Sequence, residues 1–270
     1  MNLTATIEGI GFWCRGLPSW DAARAYVRDG TRVDGAPARP SPQLLAPNER
    51  RRAPETVAVA LEVALAACNA AGRDPRELPS VFASTHGELA ITDYICATLA
   101  DAPRTISPTR FHNSVHNAAA GYWTIGAGCM QAATAISAYD ATFAEGLVEA
   151  LAQLATGTEA VLLVAYDSEA PGPLAPISNS SGLLGGALVL SRTPRAGATT
   201  LQLAIEAGAA PASSGPLSTI AGGNGMAPML PLFEALARHD REARVHAGRN
   251  RTLRVDLAHA ELTRMEAVHA

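Results

Sequence analysis

The chain has 270 residues, enough for one large domain or two small ones with an ample core. Its 48% apolar and 17% charged composition excludes intrinsic disorder, and 21 basic against 25 acidic residues give a net charge of −4. Every basic residue is Arg, no basic stripe marks a nucleic-acid binder, and no apolar run reaches about 18 residues, so a spanning helix is excluded.

Thr6–Phe12 alternates apolar and small residues around Gly9 and Gly11, the pattern of a strand running into a turn. Trp20–Asp29 predicts a helix with Ser19 as N-cap. Residues 30–48, with Pro37, Pro40, Pro42 and Pro47, read as a surface loop. In Pro54–Ala71 the residues Val57, Leu61, Ala64, Leu65 and Cys68 form one stripe and Gly72 supplies a stop, so a long helix is expected. Ser80–Ser84 is a buried strand and Glu88–Leu99 the next helix. Ala132–Ala138 is a strand of small and β-branched residues, followed by a helix over Thr142–Ala155, a stop at Gly157, and a buried strand over Ala160–Ala165. Leu183–Leu190 gives another strand. Beyond about residue 200 the pattern weakens, with strands near 201–207 and 253–257 and a helix near 228–238. Strands separated by helices of ten or more residues imply an α/β layered fold.

The start, Met1-Asn2-Leu3-Thr4, lacks the basic and apolar stretches of a secretory signal, so a cytoplasmic protein is expected. Cys14, Cys68, Cys96 and Cys129 are widely spaced, with no Cys-x-x-Cys pair and no histidine at ligand spacing. They read as small buried apolar residues, and no metal or cofactor is expected.

The segment Ile106-Ser107-Pro108 through Asn113, Asn117 and Ala120-Gly121 resembles the β-ketoacyl synthase family, in which these residues precede the nucleophile at similar spacing. The resemblance extends over residues 5–192: the Gly9-x-Gly11 strand end, Arg50-Arg51-Arg52 opening a helix, the Val81–Ser84 strand, the 132–165 strand–turn–helix–strand, and the Gly182–Leu190 entry. It implies a thiolase-like layered α/β/α fold. Residues 1–192 would be a complete ketosynthase-like N-terminal half, and 193–270 a truncated C-terminal half completing the same domain.

The resemblance also implies a cysteine nucleophile at the sharp turn from strand to helix. Counting from Gly121 and back from Gly157 places that position at Asp140. A thiolate is the nucleophile that exchanges readily with a carrier-bound thioester, whereas a carboxylate is a much weaker acceptor whose mixed anhydride would hydrolyse. No catalytic residue is therefore expected. Asp140 reads most simply as a carboxylate accepting N–H groups at a helix N-terminus. The histidine motifs of the family's second half are missing, and His239, His246, His259 and His269 read as surface residues. Cys129 falls in the loop before the strand, away from the turn. His86, His112 and His116 read as loop-tying groups.

Family members without the nucleophile are chain length factors, which pair with an active ketosynthase and help bound the tunnel for the growing chain. The sequence resembles the short type found in aryl polyene and other type II polyketide systems. That implies a cytoplasmic, non-catalytic subunit of an acyltransferase complex, in heterodimer with a ketosynthase and reaching acyl carrier protein through it. The carried-over dimer strand is Ala132, Ala133, Thr134, Ala135, Ile136, Ser137 and Ala138, which pairs antiparallel across the dimer axis in the family. The tunnel candidates are Ile91, Tyr94, Ile95 and Thr98, whose spacing equally suits ordinary core packing, with Phe143 as a bulky group blocking the pocket. Two alternatives stay open. One is a stand-alone acyl-thioester hydrolase or decarboxylase using Asp140 with His112 or His116; the other is a homodimeric acyl-chain binding module.

Overall fold

The computed structural model describes residues 3–260. Met1, Asn2 and His269 lie outside the described residues.

The first strand, β1 (Leu3–Cys14), is followed by α1 (Trp20–Asp29). The α1 boundaries follow from local chemistry: the Ser19 hydroxyl accepts the Ala22 N–H at 3.2 Å, and Gly30 closes the helix in the left-handed region. A short α2 (Pro47–Arg52) precedes α3 (Glu55–Ala71), which Gly72 ends at φ +67°. Then come β2 (Ser80–Ala83), α4 (Leu89–Asp101), α5 (Pro108–His112), α6 (Ala118–Ala127), β3 (Ala133–Ile136), α7 (Thr142–Ala155) and β4 (Ala160–Asp167). The remainder is α8 (Ala175–Ser178), β5 (Leu184–Ser191), β6 (Thr199–Ala207), α9 (Pro216–Ala221), α10 (Leu230–Arg238), β7 (Glu242–His246) and β8 (Arg251–Ala258). β3 is shorter than the Ala132–Ala138 expected. β7 lies in a stretch where the sequence pattern predicts no strand.

Among the described residues eight strands form one sheet, in the order β3-β2-β4-β5-β1-β6-β8-β7. β2 pairs parallel with both β3 and β4, while β5, β1, β6, β8 and β7 continue the sheet by antiparallel pairing. The residues past 192 therefore extend the sheet begun by the first part. One face is covered by α3 and α6, with Trp123, Phe82, Tyr166 and Leu162 in the core. The other is covered by α1, α7 and α10, with Phe12, Phe143, Leu147 and Phe233. This is the layered α/β/α arrangement.

α3 is apolar around most of its circumference and 11 of its 17 residues are buried, as a helix pressed against a sheet requires. Gly9 and Gly11 on β1 make that approach possible. A Cβ on Gly11 would stand 2.0 Å from the Val63 carbonyl oxygen, and one on Gly9 would stand 2.2 Å from that of Ala67.

Among the described residues no helix is long and apolar enough to cross a membrane.

Candidate functional site

The chain turns sharply between β3 and α7. Ser137 Oγ donates to the Thr85 carbonyl at 3.0 Å, anchoring the end of β3 to the loop after β2. Tyr139 sits at φ +53°, a left-handed conformation that costs an L-residue roughly 1–2 kcal/mol. Thr142 holds the turn closed: its hydroxyl accepts the Ala138 N–H at 3.0 Å and donates to the Tyr139 carbonyl at 2.6 Å. The backbone strain thus lies at Tyr139, one residue before Asp140. Neither residue offers a thiol.

Opposite the turn, the loop after β2 is organised by Asp167, which is fully buried at the end of β4. Its carboxylate accepts the Ser84 hydroxyl at 2.7 Å and the backbone N–H groups of Thr85 at 3.0 Å and His86 at 3.3 Å. Burial pushes the Asp167 carboxyl above the usual range, and these donors oppose the rise. Gly225 lies against the same carboxylate, where a Cβ would stand 3.0 Å from Oδ2. Asn224 secures that loop by donating to the carbonyls of Ser181 at 3.1 Å and Asp167 at 3.2 Å.

Between these loops opens a cavity of about 690 Å³. Its lining brings together Thr85 and His86, Tyr139 and Asp140, the 210–213 segment, Asn224 and Gly225, and Arg244 and His246 of β7. The rings of His86 and Tyr139 meet edge to face at 6.5 Å. Asp140 is half exposed. Among the described residues no backbone N–H donates to it, contrary to the helix-cap expectation; its close contact is with His246, Nε2 to Oδ2, at 3.0 Å. That contact is off the line of a hydrogen bond, and His246 Nε2 is left buried without a hydrogen-bond partner. Arg244, on the same wall, is held by Glu206 and Glu242, each at 2.9 Å.

His246 was expected on the surface and instead meets the turn. The two residues are far apart in the chain, and the packing that brings the start of α7 against the end of β7 is tertiary, which no local pattern displays. His259 is also not a surface residue: it is buried, its Nδ1 lies 3.0 Å from Thr199 Oγ1, and its ring stacks on His239. The histidines considered as partners for Asp140 go elsewhere. His116 Nε2 lies 2.8 Å from the Ser84 carbonyl, a loop-tying role, and His112 lines an apolar groove with Phe111, Val115, Tyr122 and Ile125.

No cysteine lines the cavity. Burial pushes the Cys14 and Cys68 thiols up to about 12, far from a reactive thiolate. Cys129 is buried against the Leu78 carbonyl, at the end of β3 remote from the turn. Cys96, expected to be buried, is exposed on α4. Phe143 is in the core beneath α7 and does not line the cavity; Tyr139 is the aromatic residue at its wall. On α4 the tunnel candidates Ile91, Tyr94, Ile95 and Thr98 are half-buried. Ile91 lines a second cavity beside Glu88, the Arg110 guanidinium lies 3.9 Å over the Tyr94 ring, and Thr98 donates to the Tyr94 carbonyl at 2.7 Å.

β3 is the outer strand of the sheet. Ser80 N–H donates to the Ala132 carbonyl at 3.0 Å and Ser84 N–H to that of Ile136 at 3.2 Å. By the parity of a parallel ladder, the backbone groups of Ala133 and Ala135 face the open edge.

The β-ketoacyl synthase N-terminal domain profile matches residues 20–252. The chain belongs to the β-ketoacyl synthase family. Among solved structures, a ketosynthase (ApeO) in complex with its chain length factor (ApeC) from Xenorhabdus doucetiae is similar at 22% identity, over 94% of this chain and 99% of that one, with a TM-score of 0.72. The ishigamide ketosynthase/chain length factor is similar at 14% identity, over 95% and 99%, with a TM-score of 0.69. So is AntDE:AntF, a type II polyketide acyl-carrier protein in complex with its ketosynthase bound to the hexaketide, at 11% identity, over 96% and 100%, with a TM-score of 0.73. At these identities the likeness establishes the thiolase-like β-ketoacyl synthase fold. No protein of curated function matches the sequence.

Proposed function

We propose that the chain is a non-catalytic chain length factor that forms a heterodimer with an active ketosynthase in a type II polyketide system of the aryl polyene kind. The observation that carries this reading is the turn itself: no cysteine lines the cavity beside Tyr139 and Asp140, and on our reading this turn stands where the family needs a thiolate. The open edge at Ala133 and Ala135 supports a partner that adds a strand. So do the exposed apolar side chains nearby, Phe111, Val115 and Ile125. Two of the similar structures are ketosynthases with chain length factors, and a third holds an acyl-carrier protein. Carrier protein would reach this subunit through the ketosynthase. The half-buried α4 face of Ile91, Tyr94, Ile95 and Thr98 would line the acyl tunnel only once the partner closes it.

Co-expression with its cognate ketosynthase should yield a stable heterodimer. At saturating subunit concentration its condensation activity should survive Asp140→Ala. Loss of condensation with the dimer intact would sink the non-catalytic assignment.

One observation favours a second reading. Asp140 does face a histidine, so an acyl-thioester hydrolase on this scaffold would use His246 as base, with Asp140 orienting it. Thioester turnover by the purified chain alone, abolished by Asp140→Asn, would establish it. A homodimer that ignores ketosynthase in size-exclusion would instead favour an acyl-chain binding module.

A further inference from the structure

β3 and β7 are the two outer strands of the sheet, yet the segments that adjoin them touch. α7 crosses the sheet face between them, packing on β4, β2, β1, β3 and β5. At its start, Asp140 meets His246 at the end of β7, and Glu145 in the next turn forms an ion pair with Arg251 at the start of β8. Arg251 is itself fixed by donating Nε–H to the Ala247 carbonyl at 2.7 Å. Between the two pairs, a Cβ on Gly248 in the hairpin turn would lie 3.6 Å from the Ala141 Cβ, which is ordinary contact. One short segment, 137–146, is therefore continuous with the open edge strand on one side and tied to the β7–β8 hairpin, which walls the cavity, on the other.

We propose that Asp140 and His246 form a tether that couples partner docking at the β3 edge to the cavity wall at the β7–β8 hairpin. His246 is then a positioning residue for the interface although it lies at the opposite edge of the sheet. The inference rests on the heterodimer reading and assigns Asp140 a purpose within it.

The state of the pair supports the coupling. Asp140 Oδ2 and His246 Nε2 are at ion-pair distance but misaligned, and the nitrogen has no hydrogen bond. A buried imidazole nitrogen left without a partner is unfavourable, so any movement that aligns the pair is rewarded. In the proposed coupling, a strand added to β3 would fix the turn that carries Asp140 and let the pair align. Linkage is reciprocal, so removing the pair must weaken docking by the factor that docking strengthens the pair. The other charged or titratable groups at this corner are Arg244, held by Glu206 and Glu242; Arg251, held by Glu145; and His86 and Tyr139 across the cavity.

The test is a double-mutant cycle read as affinity for the purified ketosynthase, alongside hydrogen exchange on the chain alone. His246→Gln and Asp140→Asn should each weaken the complex about fivefold or more while leaving the thermal midpoint of the free chain within about 2 °C. The double variant should lose no more than either single one. In the free chain, His246→Gln should speed amide exchange across residues 137–146. Unchanged affinity in both single variants, or fully additive losses, would overturn the tether. Unchanged exchange in 137–146 would overturn it whether or not a ketosynthase binds. A wild-type chain that fails to bind ketosynthase would instead overturn the heterodimer reading, leaving the exchange arm to decide the tether.

Discussion

Glu88 shows what burial does to one side chain. It precedes α4, is 8% exposed, and its Oε2 accepts both the Thr56 hydroxyl at 2.7 Å and the Thr56 N–H at 3.3 Å. Burial pushes its carboxyl above the usual glutamate range, against the pull of the Thr56 donors. In the unfolded chain the group ionises at its ordinary pKa, so above that pH the unfolded state binds fewer protons than the folded one. Glu88 therefore makes stability fall as pH rises from the ordinary glutamate value through the raised one, and contributes no slope below or above that window. Glu88→Gln keeps an oxygen for Thr56 and removes the charge. Denaturant titrations should find its stability above wild type at neutral pH, with the gap closing in acid; a constant gap would contradict the assignment. Single residues differ in how far their roles are written in the local sequence. Ser19 and Gly72 act through neighbours in the chain and were legible as caps. The burial of Glu88, the left-handed Tyr139 and the Asp140–His246 contact depend on residues remote in sequence, which no local pattern displays.

Among the elements, the best anticipated are those with a local cause. α1 and α3 are closed by glycines and α7 by Thr156 with Gly157 just beyond, and the structure places all three within a residue of expectation. β7 does alternate, Glu-Ala-Arg-Val-His with Ala243 and Val245 inward, but the period-2 pattern is only five residues long and built on small and charged side chains; pairing with β8 fixes it as a strand. Its pairing puts Arg244 directly opposite Arg254, a like-charge pair that Glu206 bridges at 2.9 and 3.1 Å. Like charges facing each other across strands destabilise a sheet unless a counter-charge intervenes. Glu206→Gln should cost about 0.5 kcal/mol in low salt, a small figure because all three side chains are partly exposed. The loss should shrink in about 1 M salt, where the Debye length is roughly 3 Å. A loss insensitive to salt would point to packing as the cause.

At the largest scale, the eight strands of the described residues form one sheet with two outer edges of different character. β7 is dressed with Glu242 and Arg244, charges of the kind that discourage edge pairing. β3 has Ala133, Thr134, Ala135 and Ile136 and carries no charge. The exposed side chains of Ile125, Met130 and Tyr139 lie in the segments just before and after it, and Phe111 and Val115 lie in the groove beside α6. An edge of small residues within an apolar surround is what a strand-adding partner requires. The small side chains are visible in the sequence and the resemblance implies an edge there; that β3 is the outer strand is shown by the sheet order. The proposal that β3 is where a ketosynthase docks can be tested with one substitution. Ala135→Pro deletes an N–H that faces outward and takes nothing from the β2 ladder. In sedimentation or light-scattering measurements with the purified ketosynthase, wild type should form a 1:1 complex, and Ala135→Pro should weaken it about tenfold or more with the fold intact. A variant that binds as well as wild type, or a wild-type chain that never joins the ketosynthase, would contradict the account.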